Sequence, residues 1–206
     1  MEDVSKRTVS EELATSDNAN IMFMDMLPTS PTKMFEFWRD GEDNVMCMST
    51  VTLEGEPSSR MMRFDYNKDS KKFTLVTHAM SAKVSHIAEN NKVTMLLWHS
   101  KYGRQIIVKG KARINTPDEN EELWKSRTTI QNLTSWKSRL NSSNVTESDV
   151  LNVDMSIPKT PFFCGIVVEP HTFEFSAQHG TRRTRIHMVK TDDNWVIKQY
   201  IYLNNM

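Results

Sequence analysis

Three polar clusters, each with a cation, lie at the ends or edges of successive apolar segments between Gly55 and Lys111. The first contains Arg60, the second is Thr77-His-Ala-Met-Ser81-Ala-Lys83, and the third begins with Arg104-Gln105. Arginine binds a phosphate as a planar fork and lysine binds it as a point charge, while hydroxyl and amide groups add further donors and acceptors. Such a pattern is typical of a sheet that presents these side chains to one ligand carrying a phosphate and a ring.

The sequence gives little support for a metal site or for a nucleophile activated by a base. The histidines are His78, His86, His99, His171, His179 and His187. Their spacing does not match that of metal ligands, so we assign no metal. No nucleophile with an adjacent base stands out, and the catalytic residues are therefore unknown. Because a bound cofactor can carry the reaction itself, this absence does not argue against catalysis.

Composition narrows the class of protein. The chain has 206 residues and a mass of 23.9 kDa, enough for one domain with a substantial core. Its 26 basic and 26 acidic residues balance, so no overall field favours nucleic acid or membrane as a partner. Cys47 and Cys164 lie far apart in apolar runs, as expected for reduced core thiols. No segment approaches the roughly 18 apolar residues of a membrane span, and we expect a cytoplasmic protein.

Alternating apolar residues and turn signals predict many strands and few helices. Strands are predicted at Val45–Leu53, Ser59–Tyr66, Lys72–Thr77, Val93–Trp98, Gln105–Ile114, Phe162–Val168, His171–Ser176, Arg185–Lys190 and Trp195–Leu203. Helices are predicted from Pro31 to Gly41, over Ser81–Asn91 and after Thr116, where Thr-Pro-Asp-Glu matches a capping box. Two shorter helices are possible, at Ser135–Leu140 and Ser148–Asn152.

These elements predict a mostly β fold with flanking helices, in which a largely antiparallel barrel has its helices packed outside. Residues 1–30 are polar and turn-rich, so we expect a flexible N-terminal arm. Residues 31–206 are expected to form a single domain, which includes the C-terminal segment from about residue 160 to 206.

The order of the motifs resembles a known family. Gly-x-Pro-x-x-Arg ending at Arg60 is followed by Thr-x-x-x-Ser-x-Lys ending at Lys83, by Asn90-Asn91, and by Arg-Gln-Ile-x-Val-x-Gly ending at Gly110. This order is similar to that of the flavin-dependent pyridoxamine 5'-phosphate oxidases. The similarity is close over Gly55–Ala112 and weaker from there towards the C-terminus.

The resemblance implies a flavin mononucleotide (FMN)-binding split β-barrel. It also implies a homodimer with FMN at the subunit interface and a small-molecule substrate. The residues that match the family's FMN contacts are Arg60, Met61, Met62, Thr77, Ser81, Lys83, Gln105 and Arg185. The positions that correspond to substrate contacts are Arg127, Asp65 and Arg182.

The sequence departs from the family at the substrate positions. Asp65 stands five residues beyond Arg60, where the family has a lysine that binds the substrate phosphate. Of four phosphate-binding positions only Arg127 matches, because the tyrosine and serine positions fall at Leu123 and near Gln131. The family's Arg-Leu-His-Asp-Arg motif is Thr181-Arg-Arg-Thr-Arg185 here, so its histidine is missing. A shift of the alignment would place Arg182 rather than Arg185 at the flavin.

Three functions are compatible with these residues. The first is an FMN-dependent oxidase acting on a vitamin B6 phosphate to give pyridoxal 5'-phosphate, which Arg127 and the set of Arg60, Lys83 and Gln105 favour. The second is a flavin redox protein with a different substrate. The third is a non-catalytic relative that binds flavin or a B6 vitamer. Asp65 and the missing histidine favour the second and the third.

Overall fold

The computed structural model describes residues 30–39, 41, 44–138, 159–179, 182–192 and 194–203. The predicted N-terminal arm, apart from Ser30, and the possible helix at Ser148–Asn152 lie outside these residues.

Among the described residues, eight strands form one sheet. They are β1 (Val45–Val51), β2 (Pro57–Asn67), β3 (Lys72–His78), β4 (Lys92–His99), β5 (Arg104–Ile114), β6 (Phe163–His179), β7 (Arg182–Thr191) and β8 (Asn194–Leu203). Hydrogen-bonded neighbours follow the order β3-β2-β1-β4-β5-β6-β7-β8, and β3 also pairs with β6. This last pairing closes a barrel of six strands, which confirms the predicted mostly β barrel with flanking helices.

In the described part of the chain, four α-helices and a short 3-10 helix (Ser100–Tyr102) accompany the strands. The α-helices are α1 (Pro31–Arg39), α2 (Ala82–Glu89), α3 (Pro117–Ser126) and α4 (Thr129–Ser138). The capping box at the start of α3 is confirmed, since the Glu119 N–H donates to Thr116 Oγ1 and the Glu119 carboxylate accepts from the Thr116 N–H. Arg127 is the C-cap of this helix. Among the described helices, none is both long and apolar enough to cross a membrane.

The prediction of two separate strands at Phe162–Val168 and His171–Ser176 was wrong, because β6 runs unbroken through Pro170. A proline lacks the N–H that a paired strand needs. The strand avoids that cost by changing partner here: its residues up to Val168 pair with β3, and those from Thr172 pair with β7. Pro170 lies between the two ladders.

The chain forms two compact units through which β4, β5 and β6 run. Unit 1 contains α1, residues 95–109 and the described residues from His171 onward. Its core includes Phe35 against Phe173, with ring centroids 6.1 Å apart, and Trp38 5.5 Å from Phe175. Whether residues 31–206 act as one domain stays a prediction.

Unit 2 contains residues 44–94 and the described part of 110–170. The Phe64 ring lies 5.4 Å from that of Phe73, which packs strand β2 on β3. Gly110 of β5 allows a close approach to β6, since a Cβ atom there would lie 2.6 Å from the carbonyl oxygen of Glu169. A backbone oxygen cannot rotate away, so this position requires glycine.

Candidate functional site

Strand β2 divides the predicted site residues between its two faces. Successive side chains of a strand point to opposite sides, and the burial of β2 alternates accordingly. Arg60 shares the inner face with Met62 and Phe64, both of which are buried. Arg63 and Asp65 lie on the outer, exposed face, and so does Met61. Arg60 and Asp65 therefore serve two different sites within unit 2.

The guanidinium of Arg60 is held by strand β1 and by its own strand. Nη1 donates to the Met48 carbonyl at 3.2 Å and to Thr50 Oγ1 at 2.8 Å, while Nη2 donates to Ser58 Oγ at 2.9 Å. The pairing of Met48 with Arg60 across β1 and β2 brings these groups together. Thr50 is fully buried and its hydroxyl lies 3.0 Å from His86 Nδ1.

Lys83 approaches the same region from helix α2. A turn after β3, in which the Ser81 N–H donates to the His78 carbonyl, starts the helix with Ser81 as its N-cap. This turn folds Lys83 back onto β3, where Nζ donates to Thr77 Oγ1 at 2.8 Å. Thr77 Oγ1 is also 3.2 Å from Ser81 Oγ. The sequence motif Thr-x-x-x-Ser-x-Lys thus places all three functional groups together.

Arg60, Lys83, Thr77 and Ser81 form what we call the cation cluster. Burial lowers the pKa of Lys83, and the positive charge of Arg60 lowers it further. Burial also lowers the pKa of Arg60. Within the described part of the chain, no carboxylate forms an ion pair with either cation. Two half-buried cations without a carboxylate, beside two hydroxyl groups, fit the phosphate of a bound cofactor.

A second site lies on the outer face of β2 and β3. It is a cavity of about 250 Å³ that we call the substrate pocket. The lining residues are Arg63, Asp65, Thr74, Val76, Thr77, Arg127, Gln131 and Ser135. Thr77 belongs to both sites, so the substrate pocket adjoins the cation cluster. The sequence placed Asp65 and Arg127 at a common site, and the structure brings both to this cavity.

Arg127 has unused hydrogen-bonding capacity. Its guanidinium lies 5.3 Å from the centroid of the Phe163 ring, and Nη2 donates to the Gln131 carbonyl at 2.9 Å. Nε and Nη1 are buried and donate to no atom of the described chain. Burial lowers the pKa of Arg127, and the negative charge of Asp65 opposes this effect. A ligand with an acceptor group would satisfy donors that the described residues leave unused.

Three further residues that the sequence predicted to contact a ligand lie in unit 1. Gln105 is half-buried on β5. Arg185 of β7 has its Nε 3.2 Å from Glu174 Oε1, and this ion pair competes with any contact to a flavin. Arg182 begins β7 and pairs with His179 and Leu203 along the backbone. Their ligand-binding roles stay predictions.

Sequence reasoning missed several residues that the structure places near the predicted ones. Thr50 and Ser58 accept hydrogen bonds from the Arg60 guanidinium, and His86 is hydrogen-bonded to Thr50. Thr50 and His86 are revealed only by the long-range pairing of β1 with β2 and by the packing of α2, whereas Ser58 lies two residues before Arg60 on the same strand. Arg104, which the sequence placed in the third polar cluster, is 1% exposed and lies 4.4 Å from the Tyr102 ring centroid.

The histidines, cysteines and carboxylates of the described ranges form no group of three that could hold a metal ion. Cys47 and Cys164 are both free thiols. The described residues therefore place arginine, lysine and hydroxyl groups together, next to a cavity of about 250 Å³.

The structure is that of a mostly β protein with a closed six-strand barrel and a cation cluster. The chain belongs to the pyridoxamine 5'-phosphate oxidase family, whose sequence profile matches residues 30–156. The chain is thus a divergent member, as its substrate positions indicate.

The names of similar proteins indicate more than one function. Pyridoxine/pyridoxamine 5'-phosphate oxidase of Shewanella sp. (strain MR-7) is 30% identical, over 83% of this chain and 88% of the relative. Pyridoxine-5'-phosphate oxidase of Dictyostelium discoideum is 29% identical, over 82% and 83%. Dihydrophenazinedicarboxylate synthase of Burkholderia lata is 26% identical, over 84% and 88%.

Solved structures share the fold. PhzG from Burkholderia lata 383, in complex with tetrahydrophenazine-1-carboxylic acid, has a TM-score of 0.70 and 24% identity, over 88% of this chain and 98% of that chain. A pyridoxamine 5'-phosphate oxidase-related, FMN binding protein from Nostoc punctiforme has a TM-score of 0.66 and 16% identity, over 76% and 87%. At this identity the likeness concerns the fold.

Proposed function

We propose that this protein is an FMN-dependent oxidoreductase that acts on a small molecule. The observation that carries the proposal is the cation cluster. In this cluster the positive charge of Arg60 lowers the pKa of Lys83. No carboxylate among the described residues forms an ion pair with either cation. Bringing two such charges together costs free energy that an FMN phosphate would recover. The Nostoc punctiforme neighbour, described as an FMN binding protein, supports this choice of cofactor.

Each matched residue has a part in the proposed complex. Arg60, Lys83, Thr77 and Ser81 hold the phosphate, Met61 and Met62 present strand backbone beside the ring, and Gln105 and Arg185 contact the ring or its side chain. FMN, when bound, supplies the capacity to accept two electrons from a substrate. The chain's own contribution is to bind and orient both molecules, and Thr77 links the two places where it does so.

The B6 phosphate oxidases among the relatives suggest pyridoxamine or pyridoxine 5'-phosphate as the first candidate substrate. Arg127 supports this reaction, whereas Asp65 in the same pocket opposes it. Near a protein surface, two like charges about 5 Å apart repel by about 3 kcal/mol, and solvent reduces this value further. We therefore expect slow oxidation of B6 phosphates, chiefly through weak substrate binding.

A flavin redox protein with another substrate is the second candidate, and Asp65 favours it. The Burkholderia lata relative, named dihydrophenazinedicarboxylate synthase, supports a ligand that carries carboxylates instead of a phosphate. A non-catalytic flavin-binding or B6-binding role is the third candidate. All three candidate functions use the cation cluster, and they differ in the molecule that the substrate pocket binds.

We further propose a cytoplasmic homodimer with FMN at the subunit interface. Large apolar side chains are exposed in unit 2, including Leu53, Met61 and Met80, of which Met80 is 76% exposed. Apolar area of this kind is typical of surfaces that a partner covers. The two free thiols support a reducing compartment.

The test is anaerobic mixing of FMN-reconstituted protein with pyridoxamine 5'-phosphate, followed by the loss of the yellow flavin absorption. The proposal requires that FMN survives desalting and that a chemical reductant bleaches it. Slow bleaching by pyridoxamine 5'-phosphate would support the first candidate. No bleaching by this substrate, in protein that does bind FMN, would favour the second or third. Protein that retains no FMN after reconstitution would contradict the proposed function.

A further inference from the structure

The substrate pocket carries an unusual set of charges. Arg63 and Arg127 contribute two guanidinium groups, and Asp65 contributes one carboxylate. The lining side chains therefore sum to a single positive charge. A monoanionic ligand would neutralise this pocket, whereas a phosphate dianion would leave it with a net negative charge. A charge mismatch within a partly buried cavity weakens binding, so the lining favours the monoanion.

The carboxylate of Asp65 adds a second requirement. An ionised carboxylate accepts hydrogen bonds and cannot donate them. Asp65 lies on the same outer face of β2 as Arg63, and it is close enough to Arg127 to influence the pKa of that guanidinium. A ligand acceptor bound to Arg127 would therefore come near Asp65. Asp65 repels a ligand that has only the acceptor. If the ligand also carries a donor group next to that acceptor, the Asp65 carboxylate accepts a hydrogen bond from the donor.

Arg127 supplies the anion-binding half of the pocket. Its Nε and Nη1 donate to no described atom, although burial makes unused donors costly. Contact with the Phe163 ring and the bond from Nη2 to the Gln131 carbonyl hold the guanidinium plane in place. A fixed arginine with unused donors recognises a planar carboxylate well.

We propose that the substrate pocket selects a small carboxylic acid that bears an N–H or O–H donor beside its carboxylate, in preference to a phosphate ester. The carboxylate binds Arg127, with Arg63 as a further cation at the opening, and the adjacent donor binds Asp65. This inference rests on the proposed function and names the substrate class of that site.

Three simple probes separate the components of this recognition. Anthranilate carries a carboxylate with an adjacent amine, benzoate carries the carboxylate alone, and phenyl phosphate carries a dianion on the same ring. Isothermal titration of the full-length, FMN-reconstituted protein measures the affinity of each. We expect anthranilate to bind about tenfold more tightly than benzoate, and phenyl phosphate to bind most weakly.

The decisive variant is Asp65→Asn, which keeps the shape of the side chain and removes its charge. Its position on the exposed face of β2 makes loss of folding unexpected. We expect phenyl phosphate to gain about tenfold in affinity and anthranilate to lose most of its advantage over benzoate. The matched control is Asp69→Asn, because Asp69 lies in the exposed turn between β2 and β3, outside both sites. This control should leave all three affinities unchanged.

Several outcomes would overturn the inference. They are tighter binding of phenyl phosphate than of benzoate to the unmodified protein, unchanged ratios between the three affinities after Asp65→Asn, and no binding of any probe. Failure of the proposed function is recognised separately, because the absorption of the desalted protein reports FMN binding without any probe. If FMN fails to bind, titration of the purified full-length protein still tests the pocket.

Discussion

The position of Asp65 on strand β2 places its charge in one of the two sites and away from the other. It lies on the outer face, in the substrate pocket, while Arg60 lies on the inner face in the cation cluster. A change of charge at residue 65 should therefore alter substrate binding and leave cofactor binding intact. This separation makes Asp65 the residue at which substrate preference is most easily changed.

Replacing Asp65 with lysine should raise kcat/KM for pyridoxamine 5'-phosphate. The substitution removes a repulsive charge and adds a cation beside Arg127. A single charge-assisted contact contributes about 1.5–3 kcal/mol, so a gain of about tenfold or more is expected. Full activity is not expected, because groups that act together are not restored one at a time.

Steady-state turnover with pyridoxamine 5'-phosphate measures this effect, with unphosphorylated pyridoxamine as the control substrate and Asp69→Lys as the control variant. High activity of the unmodified protein on the phosphate would show that Asp65 does not repel it. An unchanged kcat/KM in Asp65→Lys protein that binds FMN normally would point to a different ligand or to a non-catalytic role.

Thr50 supports the cation cluster from strand β1, and its replacement by valine should weaken FMN binding about tenfold. The valine keeps the shape of the buried side chain but removes the oxygen that accepts from Arg60 Nη1 and lies 3.0 Å from His86. Titration of the apoprotein with FMN, followed by quenching of flavin fluorescence, measures the change. Thr94→Val on β4 is the control. Equal affinities of all three proteins would show that Thr50 does not position Arg60.

At the scale of the elements, local signals in the sequence predicted most strands and helices correctly. The capping box at Thr116 and helix α2, predicted over Ser81–Asn91, depend only on neighbouring residues, so spacing revealed them. Continuity of β6 through Pro170 depends on a change of strand partner, which spacing does not encode. The same limit applies at the site, because Thr-x-x-x-Ser-x-Lys is local whereas the contact of Arg60 with Thr50 requires the register of β1 on β2.

Gly110 illustrates how closely β5 and β6 approach each other. The substitution Gly110→Ala would place a Cβ atom 2.6 Å from the Glu169 carbonyl oxygen. We expect the free energy of unfolding to fall by about 1–3 kcal/mol, since the strands must move apart to remove this overlap. Urea denaturation measures the loss, with Lys111→Ala on the exposed face of β5 as the control. Unchanged stability of Gly110→Ala would show that the strands are not held so closely.

The start of α3 should make stability depend on acid pH. Hydrogen bonds from Arg113 and from the Thr116 backbone lower the pKa of Glu119 from 4.5 to about 2. A lowered pKa in the folded state stabilises the protein above pH 4.5, and this contribution disappears as the pH falls towards 2. Because the Glu119 side chain is 37% exposed and that of Arg113 is 52% exposed, solvent keeps the contribution small.

Urea denaturation at several pH values measures this dependence. Glu119→Gln should lower the free energy of unfolding at pH 7 and should have a smaller effect near pH 2, while the exposed Glu122→Gln on the same helix serves as the control. Identical pH profiles for Glu119→Gln and the unmodified protein would contradict the role of Arg113 and the capping box.

At the scale of the whole molecule, the proposal of a homodimer remains to be tested. The exposed apolar side chains of each unit, such as Met80 in unit 2 and Trp98 in unit 1, are expected to be covered by the partner subunit. Stable interfaces of this kind usually bury more than about 2,000 Å². Light scattering of FMN-reconstituted protein at micromolar concentration should give twice the mass of 23.9 kDa. A monomeric mass would exclude a cofactor site shared between subunits.

The measurement that tests the central claim most directly is the affinity for FMN of the unmodified protein and of the double variant Arg60→Ala with Lys83→Ala. Removing two charge-assisted contacts to one phosphate should weaken binding at least about a hundredfold. The control, Lys92→Ala with Lys125→Ala, removes two exposed charges of the same unit and should leave the affinity unchanged. An unmodified protein without measurable affinity for FMN, or equal affinities of the double variant and the control, would contradict the account.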